Sequence, residues 1–374
     1  MSEQKKHIGW VDMLRIIACF FVVVSHCSDP CFVAADRADF LEGWAVGSLV
    51  RCCVPLFVMM SGVLLLPTSM SLGEFYSKRL KRLAVPLVFW SILLPFLFYF
   101  YQNLSGGCTF PLMDGSAYTF KSTVYKSLTF FLNFNYDTTP LWYLYMLVGL
   151  YFIIPILSAW VRTASQREIK TFLIVWGVSL FVPYIELVAK EAGFIGYPGS
   201  SDVFGVCDWN VFGTFYYVSG FVGYLLLGYY LKTYPLQWSW KKCLSICIPM
   251  FTVGVFTTFV SLVLLVKHIP SQMSLSWLFC TINVFCITFP IFAVTQKIDV
   301  APSPFLSKMA STTFGISLSH FFFIHVGYDF FHAILPEGTP LIILILCNSL
   351  ATFAVCYLLV STMLRFRLTR RLVA

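Results

Sequence analysis

The chain has 374 residues, of which 59% are apolar and only 11% are charged, and its mean hydropathy is +0.81. Soluble domains carry about 25% charged residues, so this composition excludes a water-soluble globule and indicates a membrane protein. The net charge of +8 does not indicate a nucleic-acid binder, because the basic residues fall in short clusters between apolar runs.

A helix needs about 20 apolar residues to cross a bilayer. Ten segments qualify: 9–27, 45–66, 83–101, 141–160, 171–189, 212–231, 244–266, 275–295, 311–332 and 340–362. They predict an all-α, polytopic protein with a single membrane-embedded domain over 1–374. The longest connections, 102–140 and 190–211, are loop-sized. The first segment follows Lys5 and Lys6 but lacks a clean small-residue cleavage site and is interrupted by Arg15, so a retained span is expected rather than a signal peptide. Of the 13 cysteines, most lie inside predicted helices as small apolar fillers. Cys27, Cys31, Cys108 and Cys207 lie at loops, and a Cys108–Cys207 bridge is left open. No cysteine or histidine grouping has metal-ligand spacing, so no metal is expected.

The basic residues set the topology. With the N-terminus inside, one side carries Lys5, Lys6, Lys78, Arg79, Lys81, Arg82, Arg162, Arg167, Lys170, Lys232, Lys241, Lys242, Lys297, Lys308, Arg365, Arg367, Arg370 and Arg371, against Arg37, Lys121, Lys126, Lys190 and Lys267 on the other. Acidic residues such as Asp29, Asp36, Asp39, Glu42, Asp137, Asp202 and Asp208 gather on the second side. Both termini are therefore expected in the cytoplasm.

Ionisable residues inside spans are costly and mark function by default. The first span carries Asp12, Arg15 and His26; the fifth carries Glu186; the ninth carries His320, His325 and Asp329, with His332 at its end. Arg15 and His26 are eleven positions apart, close to three helical turns, so they share a face about 16 Å apart along the axis. Cys19 and Val22 lie between them, and Asp12 can pair with Arg15 at i,i+3. Snorkelling of Arg15 to the headgroups is the plain alternative. The second span holds Pro55, which can kink it, and Ser61–Gly62, which suit close packing or a hydroxyl facing a cavity. Arg79 and Arg82 suit a phosphate clamp as well as simple anchoring. His325 and Asp329 are spaced to pair. Trp142, Tyr143, Tyr145, Tyr184, Tyr197, Trp209, Tyr216 and Tyr217 crowd the outer half, mostly as interfacial anchors.

In this order the motifs resemble the acyltransferase-3 family of integral membrane acyltransferases. The matching pieces are Arg15–x10–His26, the Val54-Pro55-Leu56-Phe57…Ser61-Gly62 run, Arg79-x-x-Arg82 with Pro86, the Pro140-to-Leu157 run, Gly223-Tyr224…Leu227-Gly228-Tyr229…Leu231, and Gly315-Ile316…Leu318…His320. The resemblance covers about residues 8–362. Pro140 and Ser317 depart from it, standing where the family often has histidine and tyrosine, which bears on the acceptor.

The resemblance implies a ten-span enzyme of the bacterial cytoplasmic (inner) membrane. It would move an acetyl or other short acyl group from acyl-CoA to a hydroxyl of an extracytoplasmic glycan or glycolipid. It implies that Arg79, Arg82 and, deeper, Arg15 hold the donor phosphates, and that His26 is the general base. Trp142, Tyr143, Ser61, His320 and Glu186 become substrate-side candidates, with Asp29 or Glu186 as the group orienting His26. Acetyl-CoA or another short acyl-CoA, the acceptor and membrane lipid are the expected partners, without nucleic acid; the sequence leaves the oligomeric state open. The rival readings are N-acylation of an amino sugar or amine, and a transporter or exporter of a small polar or lipid-linked substrate. Transporters bind at paired broken spans, which this sequence lacks.

Overall fold

A computed structural model describes residues 8–32, 40–104, 106–194, 203–207, 210, 213–298 and 300–374. Lys5, Lys6, Asp36, Arg37, Asp39, Tyr197, Asp202, Asp208 and Trp209, all used in the sequence reading, lie outside the described residues. The regular elements of the described chain are helices, apart from an isolated Cys207–Asn210 bridge. In order the helices are α1 (Gly9–Cys27), α2 (Phe40–Val50), α3 (Cys53–Leu65), α4 (Leu72–Leu104), α5 (Phe120–Leu128), α6 (Trp142–Thr163), α7 (Gln166–Ser179), α8 (Val182–Glu191), α9 (Phe221–Thr233), α10 (Trp240–His268), α11 (Ile282–Ile298), α12 (Pro304–Ile334), α13 (Leu341–Met363) and α14 (Arg367–Arg370).

Among the described residues, eight stretches are long and apolar enough to cross a membrane: Gly9–Cys27, Phe40–Leu65, Leu72–Leu104, Tyr136–Thr163, Gln166–Glu191, Trp240–His268, Pro270–Ile298 and Leu341–Met363. The chain is thus an all-α, multi-pass membrane protein. The other two expected spans fall on α9 and α12. With 13 residues, α9 covers about 20 Å at 1.5 Å per residue, short of a bilayer core. Length is not what α12 lacks, with 31 residues; His320, His325 and Asp329 make it polar.

Two local expectations change. The helix containing Arg79 and Arg82 begins at Leu72, so it starts well before the apolar span expected from residue 83 and carries this basic run in its first turns. Pro55 does not kink a span: the chain breaks at Arg51–Cys52 and Pro55 falls in the first turn of α3, where its missing N–H would have no helical partner in any case.

The chain divides into two compact units, one drawn from Met1–Val50, Met70–Pro155 and Asp299–Ala374, the other from Arg51–Ser69 and Ile156–Ile298. In the first, α1 runs parallel to α12. Ser307 Oγ donates to Asp12 Oδ2 at 3.0 Å, Cys19 Sγ reaches the Thr313 carbonyl at 3.5 Å, and the His26 and His320 rings are 5.3 Å apart. The seam between them is narrow because Cys19, Thr313 and Ser317 are small. Against α12 lies α13, antiparallel to it: Asn348 Nδ2 donates to the Ile324 carbonyl at 3.0 Å, and Gly327 lets Asn348 approach. The start of α13 is capped by Glu42 of α2, which accepts from the Ile342 amide at 2.9 Å, a favourable place for a carboxylate.

In the second unit α3 crosses α9 antiparallel at two glycines. A Cβ on Gly62 would fall on the Leu225 carbonyl, and one on Gly228 would fall on that of Met59. This backbone-to-backbone approach explains the Ser61–Gly62 pair as packing. Between α10 and α11, Asn283 Nδ2 donates to Thr258 Oγ1 at 2.8 Å and to the Ser276 carbonyl at 2.9 Å. Arg51 is structural, donating from Nε to the Trp277 carbonyl at 2.7 Å with its guanidinium 4.0 Å from the Phe279 ring. Cys108 and Cys207 are both free thiols, as are the other cysteines, so the bridge left open by the sequence is not formed.

Because the α3–α9 crossing has no room for a side chain, Gly62→Val is expected to cost about 1–3 kcal/mol through overpacking. The check is a lowered unfolding temperature of the detergent-purified protein; an unchanged temperature would show that the crossing can open freely.

Candidate functional site

The polar residues of the first unit gather in two groups, one at each end of α1. At the far end, His26 sits in the last turn and Asp29 opens the following 3₁₀ turn, Asp29–Phe32. His26 Nδ1 lies 2.7 Å from Asp29 Oδ2, and both side chains are partly exposed. A carboxylate can only accept, so Nδ1 carries the proton and Nε2 holds the lone pair when the ring is neutral. Nε2 has no hydrogen-bond partner among the described residues. Asp29 is one of the two orienting groups expected, and it makes this bond. Glu186 is half-buried on α8 in the second unit.

His320 faces His26 from α12 with an interplanar angle of 41°. It is fully buried. Its Nδ1 is 3.0 Å from the Ile316 carbonyl on its own helix, while Nε2 is buried with no partner in the described structure. The carbonyl again fixes the tautomer, so the neutral ring presents an acceptor at Nε2. Its one donor is committed within its own helix.

His325, one turn further on, is also fully buried. Its Nδ1 donates to the Phe321 carbonyl at 2.7 Å, and its Nε2 accepts from the Tyr136 hydroxyl at 2.9 Å. Both nitrogens are therefore engaged, and the expected hydrogen-bonded pairing with Asp329 is not made. Asp329 instead accepts from Tyr101 Oη at 2.7 Å, from the Thr109 amide at 2.9 Å and from the Thr109 hydroxyl at 2.5 Å. These bonds pin the segment after α4 onto α12 and lay Phe110 on His325, with ring centres 4.1 Å apart. Tyr136 is held in turn by its neighbour. Asp137 is fully buried and accepts from Tyr118 Oη at 2.6 Å and Lys126 Nζ at 2.8 Å. Desolvation raises the Tyr118 phenol pKa, and Asp137 raises it further, so this phenol stays a donor.

At the other end of α1, Arg15 is half-buried and lies within electrostatic reach of Asp12, Arg82, Tyr143 and Tyr151. Arg79 is within reach of Arg82 and Tyr151; its Nε is buried without a hydrogen-bond partner among the described residues, and its guanidinium is 5.7 Å from the Phe75 ring. Arg82 is exposed. At i,i+3 on α4, Arg79 and Arg82 share a face. The structure thus joins Arg15, Arg79 and Arg82, brings Tyr143 within reach of Arg15 rather than on the acceptor side where it was expected, and adds Tyr151, which the sequence reading missed although Tyr143 and Tyr151 are eight apart on one helical face. Trp142 packs beside Tyr143 with ring centres 6.3 Å apart. Ser61 belongs to the second unit, and its hydroxyl donates to the Phe57 carbonyl at 3.0 Å, so its proton is spent within its own helix. Among the described residues no group of three or more His, Cys, Asp or Glu is placed to hold a metal.

The Acyl_transf_3 family model, described as an acyltransferase domain, matches residues 8–361. The chain belongs to the acyltransferase-3 family. No curated protein and no solved structure matches it.

If Asp329 pins the Thr109–Phe110 segment, Asp329→Ala should release it. Hydrogen exchange at the Thr109 amide is expected to rise by about tenfold or more, following loss of a charged acceptor worth about 1.5–3 kcal/mol. Unchanged exchange would show that other contacts hold the segment.

Proposed function

We propose, from that family membership and from the two polar ends of α1, that the protein transfers a short acyl group from cytoplasmic acyl-CoA to a hydroxyl of an extracytoplasmic glycan or glycolipid. In this reading α9 and α12 complete ten spans of the bacterial inner membrane, and both termini lie in the cytoplasm. The observation that carries it is the His26–Asp29 pair, which leaves Nε2 unspent at the opposite end of one helix from a three-arginine cluster.

Arg79, Arg82 and Arg15 form the donor end. Guanidinium forks bind phosphate bidentately, and the buried, unpaired Nε of Arg79 is a donor without a partner among the described residues. With the phosphates there, the pantetheine arm runs the length of α1 toward His26, a distance of about 16 Å on the helix axis. The thioester then meets His26. His26 Nε2 removes the proton from the acceptor hydroxyl as its oxygen bonds to the acyl carbon. The C–S bond breaks, and the imidazolium returns the proton to the departing thiolate. Asp29 holds the ring in the productive tautomer and stabilises the imidazolium. The partly exposed His26 is reachable from the acceptor side.

The assay combines purified protein, labelled acetyl-CoA and a de-O-acetylated envelope glycan. His26→Ala, folded as judged by its unfolding temperature, is expected to abolish transfer. Asp29→Asn should lower kcat by about a hundredfold or more with little change in the acyl-CoA KM, since the wrong tautomer removes an interaction needed only in the transition state. Undiminished transfer by His26→Ala would refute the assignment, and an alkali-stable product would mark amide rather than ester formation. The paired change Arg79→Ala and Arg82→Ala should raise the acyl-CoA KM by about tenfold or more; an unchanged KM would make this pair a topology signal only.

A further inference from the structure

Two imidazole rings, each with its Nδ1 proton already spent, lie side by side on α1 and α12. His26 uses its Nδ1 proton on Asp29, and His320 uses its own on the Ile316 carbonyl. The rings lie 5.3 Å apart. Both distal nitrogens therefore present lone pairs in the neutral state. One of them, on a fully buried side chain, has no partner among the described residues. A buried polar atom left unpaired costs free energy of about 1–3 kcal/mol, and neutral His320 itself offers no further donor to satisfy one. A ligand that donates there relieves that cost, and one that cannot donate inherits it.

The acylated hydroxyl supplies a single proton, and the reading above spends it on His26. His320 then needs a second donor within one side-chain width of the first. On a sugar ring that donor is the hydroxyl of the neighbouring carbon. We propose, resting on the acyltransferase reading, that the acceptor is a vicinal diol: His26 takes the proton of the hydroxyl that is acylated, and His320 Nε2 accepts a hydrogen bond from the hydroxyl beside it. His320 is thus a specificity residue. It contributes no proton to the reaction; the acyl carbon–oxygen bond forms, the thioester bond breaks, and the proton passes through His26 as before. A primary amine also carries two donors. Its acylation would give an amide, which separates it from a diol by product.

Sites that hydrogen-bond a substrate hydroxyl discriminate steeply against analogues lacking it, because their own polar group is left unpaired. The test crosses protein and acceptor. The probe acceptor is the de-O-acetylated envelope glycan, intact or cleaved at its vicinal diols with periodate and then reduced with borohydride, which leaves isolated hydroxyls in place. The donor is labelled acetyl-CoA. Wild-type kcat/KM is expected to fall at least tenfold on the cleaved glycan. His320→Leu should show a loss of similar size on the intact glycan and little further loss on the cleaved one. His320→Gln, which keeps an acceptor, should recover part of the difference.

Equal sensitivity of wild type and His320→Leu to cleavage would overturn the proposal while leaving His26 as the base. So would a wild-type product, mapped by NMR, whose acetyl group sits on a hydroxyl with no free hydroxyl on an adjacent carbon. This second readout needs no variant to fold. An acetamide product would overturn it in favour of an amine. Transfer surviving His26→Ala would instead remove the reading on which the proposal rests.

Discussion

The His26 ring donates to Asp29 across 2.7 Å, and the rest of the polar architecture follows from keeping that ring beside α12. A membrane helix hides ionisable groups by turning them toward other helices. α1 does this by lying parallel to α12 with only Cys19, Ser317 and Thr313 between them. The parallel register lifts His26 to the level of His320 and Phe321, and leaves Arg15 at the other end with α4 and α6. An antiparallel partner in that place would have matched the His26 end of α1 with the Ser307 end of α12.

Rigidity around the histidines is supplied from outside α1. Asp137 anchors Tyr118 and Lys126 and so fixes the segment carrying Tyr136, which caps His325. Asp329 ties down Thr109 and brings Phe110 onto the same ring. These two carboxylates are fully committed to structure, whereas Asp29 faces a histidine whose other nitrogen is open. Three acidic residues of similar appearance in the chain thus have different work, decided by what their partners can donate.

Much of this was legible in the sequence where the relevant residues lie on one helix. The common face of Arg15 and His26 needs only helical periodicity, and the α4 arginines need only i,i+3 spacing. Asp29 was weighed equally with Glu186, because its position depends on the tight turn that follows Cys27. The partners of His325 were out of reach: Tyr136 comes from 189 positions away, and an i,i+4 spacing to Asp329 suggested a bond that the ring nitrogens spend elsewhere. The polar side chains of α12 also remove it from the eight plainly apolar stretches. Pro55 was read as a kink because the break just before it, at Arg51–Cys52, has no turn signal of its own.

In the proposed reaction a single donor molecule runs the length of α1, from Arg15 and the α4 arginines to His26. A structure of the protein with a thioether analogue of acetyl-CoA, in which a methylene prevents transfer, tests it directly. Phosphates are expected within hydrogen-bond distance of Arg79 and Arg82, and the analogue's carbonyl carbon beside His26 Nε2. Phosphates bound away from the three arginines, or a carbonyl that never reaches the His26 end of α1, would contradict it.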